Sequence, residues 1–381
     1  MKRHILVAAV LTYGSSGLAK QSTQKHMQSI YTNLLEVFPL TFEANKFSQK
    51  ANKPTIEKAL LGLSKESDNL YNHGLSKNPE FAFLSNSLKT DAKNALSWYE
   101  KGYFERSRFT IQNLTENCLS CHEKRAGKTS PLGSTFANAM GKVQLQPLDK
   151  ARLHIITRQF DSALEIFEKE LTAKGSDPRN IIYQETIEEY LKLSIRVSQN
   201  TDRPLATLAT ISKSKFLPVH LDRQLKVWSS DLAFYKKSSP FGKTAPLTVA
   251  QKIIEKAQGI MEYPKDKDGY IHFLVASALL EEAVDAEESS TTKGKTAEAY
   301  YLLGITETLV GNSFWVSEVE FYLETAIRMA PRETFALKAF DLLKTEIVYN
   351  YSGSSGHHIP DDVAQNLRQL EKLLQNSQGQ K

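Results

Sequence analysis

Cysteine is almost absent: only Cys118 and Cys121 occur among the 381 residues. They stand three positions apart, so no pair is left for a structural disulfide, and a disulfide-stapled scaffold is excluded. Long hydrophobic runs are lacking too, since no uninterrupted apolar stretch reaches the ~20 residues of a membrane-spanning helix. Charge of one sign is scarce: 48 Lys and Arg against 43 Asp and Glu leave +5 at pH 7. Without a Lys/Arg block, that excess gives no footprint for nucleic acid and suits at most a weak encounter with an acidic partner. The chain also lacks GxSxG, HExxH and a phosphate-cradling glycine loop, which leaves hydrolase and nucleotide-binding readings without a foothold.

What is present is the composition of a soluble globular protein, with 41% hydrophobic and 24% charged residues, at a length that predicts two or three domains. The first residues differ from the rest. Lys2-Arg3 precedes the apolar run Ile5-Leu6-Val7-Ala8-Ala9-Val10-Leu11, and small residues follow up to Gly17-Leu18-Ala19. Residues 1–19 therefore read as a secretory signal peptide cleaved after about Ala19, which places the mature protein in the periplasm. Lys2 and Arg3 leave with it, so the formal charge falls from +5 to +3.

From Gln21 to Arg125 the apolar residues recur at helical spacing in four segments separated by proline and glycine. The first, from about Thr23 to Leu40, aligns Met27, Ile30, Tyr31, Leu34, Leu35 and Phe38. The second starts near Pro54 and ends around His73-Gly74. The third follows Pro79 and runs to Gly102, and the fourth presents Ile111, Leu114, Cys118, Cys121, His122 and Arg125. Four amphipathic helices with short connections predict an antiparallel bundle. The Gly-, Pro- and Ser-containing stretch after it predicts a linker.

Beyond Leu148 the helical pattern resumes as helix pairs. Ala151, Leu153, Ile156, Ala163, Leu164 and Phe167 follow the small-large rhythm of a tetratricopeptide repeat. Tyr300, Leu303-Gly304, Ala326 and Pro331 fall in the order such a repeat uses, with an insertion at Gly311-Asn312-Ser313-Phe314-Trp315. Further helices are expected near 183–198, 205–213, 219–236, 248–261 and 268–288. Generic helix pairs are the alternative. The tail reads as a Gly/Ser loop followed by an exposed helix. The fold class is thus all-α, with a signal peptide (1–19), a four-helix bundle (20–126), a linker (127–147), a TPR-like α-solenoid (148–350) and a C-terminal loop and helix (351–381).

The haem reading comes from Cys118-Leu119-Ser120-Cys121-His122. Two thiols at this spacing can each add across one haem vinyl group, and the adjacent imidazole then lies beneath the porphyrin as axial iron ligand. A thioredoxin-like redox pair wants a βαβ context, and a zinc site wants a second Cys/His pair; neither is present. One covalent haem c, attached outside the cytoplasm, agrees with the signal peptide.

With its CxxCH late in the fourth helix, the segment 21–125 resembles the class II c-type cytochromes, the cytochrome c prime family. The resemblance implies a four-helix bundle with haem on its last helix, a vacant or Met-filled sixth position, and a role in electron transfer or small-gas binding. Class II bundles often pair, so a homodimer is an expectation. That family has a basic residue four positions after the haem His; here Ala126 holds that place and Arg125 stands three positions after. Arg125 is the candidate contact to the porphyrin edge or propionates, and the alternative is an exposed charge at a helix C-terminus.

Met27, on the core stripe of the first helix, is the candidate sixth ligand, and the alternative is core packing beside an open iron. His26 lies about 100° off that stripe, and His73 ends the second helix; both are expected at the surface. His154, His220 and His272 read as core or surface residues, and His357-His358 beside Asp361-Asp362 as a solvated loop. The leading functional expectation is an exported monohaem electron-transfer protein whose repeats dock a redox partner. The alternative is a nitric oxide or carbon monoxide binder with an open sixth site. No distal His-Arg pair supports a peroxidase, so no catalytic residue is assigned.

Overall fold

The computed structural model describes residues 15–75, 79–124, 135, 145–242, 244–261, 266–287, 293–311, 318–354 and 356–378. The chain is all-α, and the only strand pairing among these residues is a two-residue hairpin, Ser352–Gly353 with Gly356–His357. Two compact units divide it, residues 1–114 and 115–381.

In the first unit α1 spans Ser15–Val37, and Pro39, which has no N–H for the helical ladder, opens a 3₁₀ turn over Pro39–Phe42. A single turn, α2 (Ala44–Phe47), buries Phe47 completely. Then come α3 (Lys53–Gly74), α4 (Pro79–Glu100) and the start of α5 (Phe104–His122). α3 packs against both α1 and α4. Ile56, Leu60, Leu63 and Leu70, at helical spacing, form its buried stripe. α5 is tied to the unit by polar contacts: Ser107 Oγ donates to Ala95 O at 2.8 Å, and Arg108 Nε and Gln112 Nε2 donate to Thr41 O at 2.8 and 3.1 Å. The Thr41 carbonyl thereby gains two donors in a buried turn.

The second unit takes the remainder of α5 and then α6 (Pro147–Ile156), α7 (Phe160–Thr172) and α8 (Ile181–Lys192), the last continuing into a π-helical turn, Leu193–Val197. It goes on through α9 (Asp202–Ile211), α10 (Val219–Ser238), α11 (Pro246–Ile260), α12 (Tyr270–Glu287), α13 (Lys293–Val310), α14 (Glu318–Met329), α15 (Thr334–Asn350) and α16 (Asp361–Gln378). α7 packs on α6, α8 and α9. From α11 on, every helix packs against its successor, and α11 with α13, α13 with α15 and α14 with α16 pack as well.

α12 is buried around nearly its whole circumference, as expected of a helix apolar on every side. Gly304 lets α13 approach α14: a Cβ there would lie 2.5 Å from Leu323 Cδ2. The expectation of an exposed C-terminal helix does not hold. Leu370 and Leu374 of α16 join Val319, Leu323, Ile327, Leu343 and Ile347 in one core cluster, with Val363 and Leu367 packed beside them. That stripe is a full apolar face, and it covers what would otherwise be the open end of the helix array.

Candidate functional site at the end of helix α5

At 100° per residue, Cys118, Cys121 and His122 share one face of α5, and Glu116, Leu119, Ser120 and Glu123 occupy the opposite one. These residues all belong to the second unit.

The His122 ring is 7% exposed, and its Nδ1 lies 2.8 Å from Ile156 O at the end of α6. A carbonyl only accepts, so Nδ1 carries the proton and the ring's lone pair is on Nε2. Burial, with the charge of Arg158, lowers the His122 pKa to about 3, against the opposing pull of that hydrogen bond. The imidazole is therefore neutral at pH 7, with its tautomer and orientation fixed by a backbone partner, the state a metal-ligating histidine requires.

Neither cysteine is in a disulfide, and both are half-buried. Burial, with the neighbouring Cys121 and Glu116, pushes the Cys118 thiol up to about 12. A redox-active CxxC needs a depressed thiol pKa to supply thiolate, so this environment argues against a thioredoxin-like role.

The opposite face of α5 borders a charged interior. Lys124 Nζ reaches Glu318 Oε1 at 2.5 Å and the Tyr322 hydroxyl. Arg196 Nη2 meets Glu307 Oε1 at 2.9 Å, and Arg152 pairs with Glu189. Burial raises the Glu123 carboxyl to about 7, an effect that nearby Lys192 opposes and Glu189 reinforces.

Met27 is half-buried on α1, within the first unit. Arg125, much of the linker 127–147 and residues 1–14 of the signal peptide lie outside the described residues. His26 is half-buried rather than at the surface: its Nδ1 stands 3.0 Å from Glu66 Oε2 and its ring 6.2 Å from that of His73. His154 bonds Gln159, His220 bonds Gln184, and His357 bonds Ser352. His272 is fully buried. Among the described residues no group of three His, Cys, Asp or Glu gathers as a metal cage, and no helix is long and apolar enough to cross a membrane.

Sequence reasoning missed the Ile156 carbonyl and Arg158. The first is a backbone atom and leaves no mark in the sequence. Arg158 adopts a left-handed φ of 57° in the turn between α6 and α7, and no motif flags it. Comparison with known protein families, curated proteins and solved structures found no match.

The donor set fits a covalently attached haem. Two thiols and an imidazole share a helix face, and Nε2 carries the lone pair an iron would take.

Proposed function

We propose that this chain is an exported monohaem c-type cytochrome acting in electron transfer, with haem held by thioether links to Cys118 and Cys121 and His122 as axial ligand. The observation that carries the reading is the 2.8 Å contact from His122 Nδ1 to Ile156 O, which orients the ring and leaves Nε2 as the ligating atom. When bound, the haem would supply a one-electron iron couple whose potential depends on the axial ligands and on burial. The protein's part is to hold and orient: α5 presents the three donors, α6 supplies the carbonyl, and burial of His122 keeps water from its ring.

The first unit, with α1, α3, α4 and α5 in succession, is read as a class II-like bundle. Helices α6 to α16 are read as a TPR-like solenoid on which a redox partner docks. Next-but-one packing of α11 with α13, α13 with α15 and α14 with α16, and the close approach at Gly304, support the second assignment. Met27 is retained as the proposed sixth ligand.

Absorption spectra of the oxidised, reduced and carbonyl forms test this, using protein exported in cells that carry the haem-attachment machinery. Sharp α and β bands on reduction, a mass one haem above the processed chain, and loss of that mass in Cys118→Ser with Cys121→Ser are expected. Failure of carbon monoxide to bind the ferrous form is expected if Met27 fills the sixth site; binding would remove Met27 and favour the gas-binding role. Colourless protein with the mass of the bare processed polypeptide would overturn the proposal.

A further inference from the structure

On the side of α5 away from the cysteines lies a cavity of ≈ 130 Å³, lined wholly by residues of the second unit. It has room for about four water molecules at ~30 Å³ each, or for one compact ligand of similar bulk. Most charges on its wall are paired, as buried charges must be: Arg152 with Glu189, and Lys124 with Glu318. Four are not fully paired, among them Glu116 and Lys192, whose Nζ donates to Gly311 O at 3.2 Å. Arg196, its side chain 3% exposed, uses only Nη2 on Glu307, and its Nε has no acceptor. The Glu123 side chain has no hydrogen-bond or ion-pair partner among the described residues, although Arg196 and Lys192 are near enough for their charges to act on it.

The backbone adds an independent observation. Arg196 sits in the π-helical turn Leu193–Val197, whose five residues are all buried. Such turns are rare and occur frequently at functional sites. Here the turn places Arg196 on the cavity wall.

A buried cation and a half-buried carboxylate that line one cavity are both satisfied by a molecule with an acceptor at one end and a donor at the other. We propose that this cavity binds a small amino-carboxylate, a zwitterion of the free amino-acid type, whose carboxylate meets Arg196 and Lys192 and whose ammonium group meets Glu123 and Glu116. The same charges set the selectivity. A lone carboxylate is opposed by the two glutamates, and a lone amine by Arg196 and Lys192. The site uses the face of α5 opposite the thiols and does not depend on the haem assignment.

Isothermal titration of the full-length protein with L-alanine, propionate and ethylamine tests it, because the three differ only in which charged ends they carry. L-Alanine should bind at least tenfold more tightly than either of the others. Glu123→Gln should bring L-alanine down to the level of propionate. Arg196→Lys, which keeps a cation opposite Glu307 but loses the planar fork, should weaken L-alanine at least tenfold while the far-UV circular dichroism stays unchanged. Equal affinities for L-alanine and propionate, or no heat from L-alanine with folded protein, would overturn the proposal and leave a water-filled cavity.

Discussion

Arg196→Met removes the cation from a deeply buried pair. Arg196 Nη2 lies 2.9 Å from Glu307 Oε1, the Ser277 hydroxyl donates to the same oxygen at 3.1 Å, and the two charged side chains are 3% and 2% exposed. Burial opposes the charge on Arg196, yet Glu307 and the carboxylates of Glu281 and Glu318 override it and hold its pKa above the usual value. Without Arg196, Glu307 keeps one hydrogen bond, and an uncompensated buried charge costs about 3–5 kcal/mol.

A carboxyl can escape that cost by taking a proton, which for an ordinary glutamate costs about 4 kcal/mol at pH 7 and about 1 kcal/mol at pH 5. The variant should therefore lose about 4 kcal/mol at pH 7, a Tm drop of roughly 8–16 °C for a domain of this size, but only about 1 kcal/mol at pH 5. Glu307→Leu is not its mirror image. The stranded guanidinium cannot shed its proton in that range, so the loss should be about 3–5 kcal/mol at both pH values. Combining the two changes removes both charges and should restore most of the stability. Thermal unfolding followed by far-UV circular dichroism at the two pH values measures all four proteins. Equal losses for Arg196→Met at pH 5 and pH 7, or additive losses in the double variant, would refute the reasoning.

Three further outcomes are expected. Burial, with the nearby Lys256, lowers the pKa of His272 to about 4, so below pH 6.5 the unfolded chain takes up a proton that the folded chain refuses. Stability should then fall between pH 6.5 and 4 by at most about 3 kcal/mol. Asp231, pushed up to about 6 by burial, acts in the opposite sense and lies 3.6 Å from His272 Nδ1, so urea unfolding of His272→Phe against the parent reads the pair together; an unchanged slope would dismiss the effect. Gly304→Ala places a Cβ 2.5 Å from Leu323 Cδ2 and should destabilise by about 1–3 kcal/mol, where an open helical site would gain up to about 1 kcal/mol; the urea midpoint reads the sign. Leu370→Ala should cost about 2–5 kcal/mol, measured the same way, because its side chain is wholly enclosed against α14 and α15; a change under about 0.5 kcal/mol would mean that α16 is not part of the core.

Helix positions were legible because spacing along one helix determines which side chains share a face. The stripe Ile30, Tyr31, Leu34 and Phe38 is buried, and Pro79 and Pro147 stand where helices begin, whereas the first helix ends at Val37, short of the expected Leu40, because Pro39 has no N–H to continue it. The C-terminal helix was misread for want of a partner: Val363, Leu367, Leu370 and Leu374 form an apolar face, and only packing reveals that Leu323 and Leu343 lie beneath it.

By itself the sequence determined the helical class, the near-absence of strands and the placing of Cys118, Cys121 and His122 on one helix face, since each follows from local spacing. Tertiary structure alone decided that His122 meets a carbonyl 34 positions away and that Arg196 pairs with Glu307 across 111 positions. The physical reason is that hydrogen bonding and desolvation depend on which atoms become neighbours once the chain is packed, and neither a backbone carbonyl nor a distant counter-charge carries a local signature.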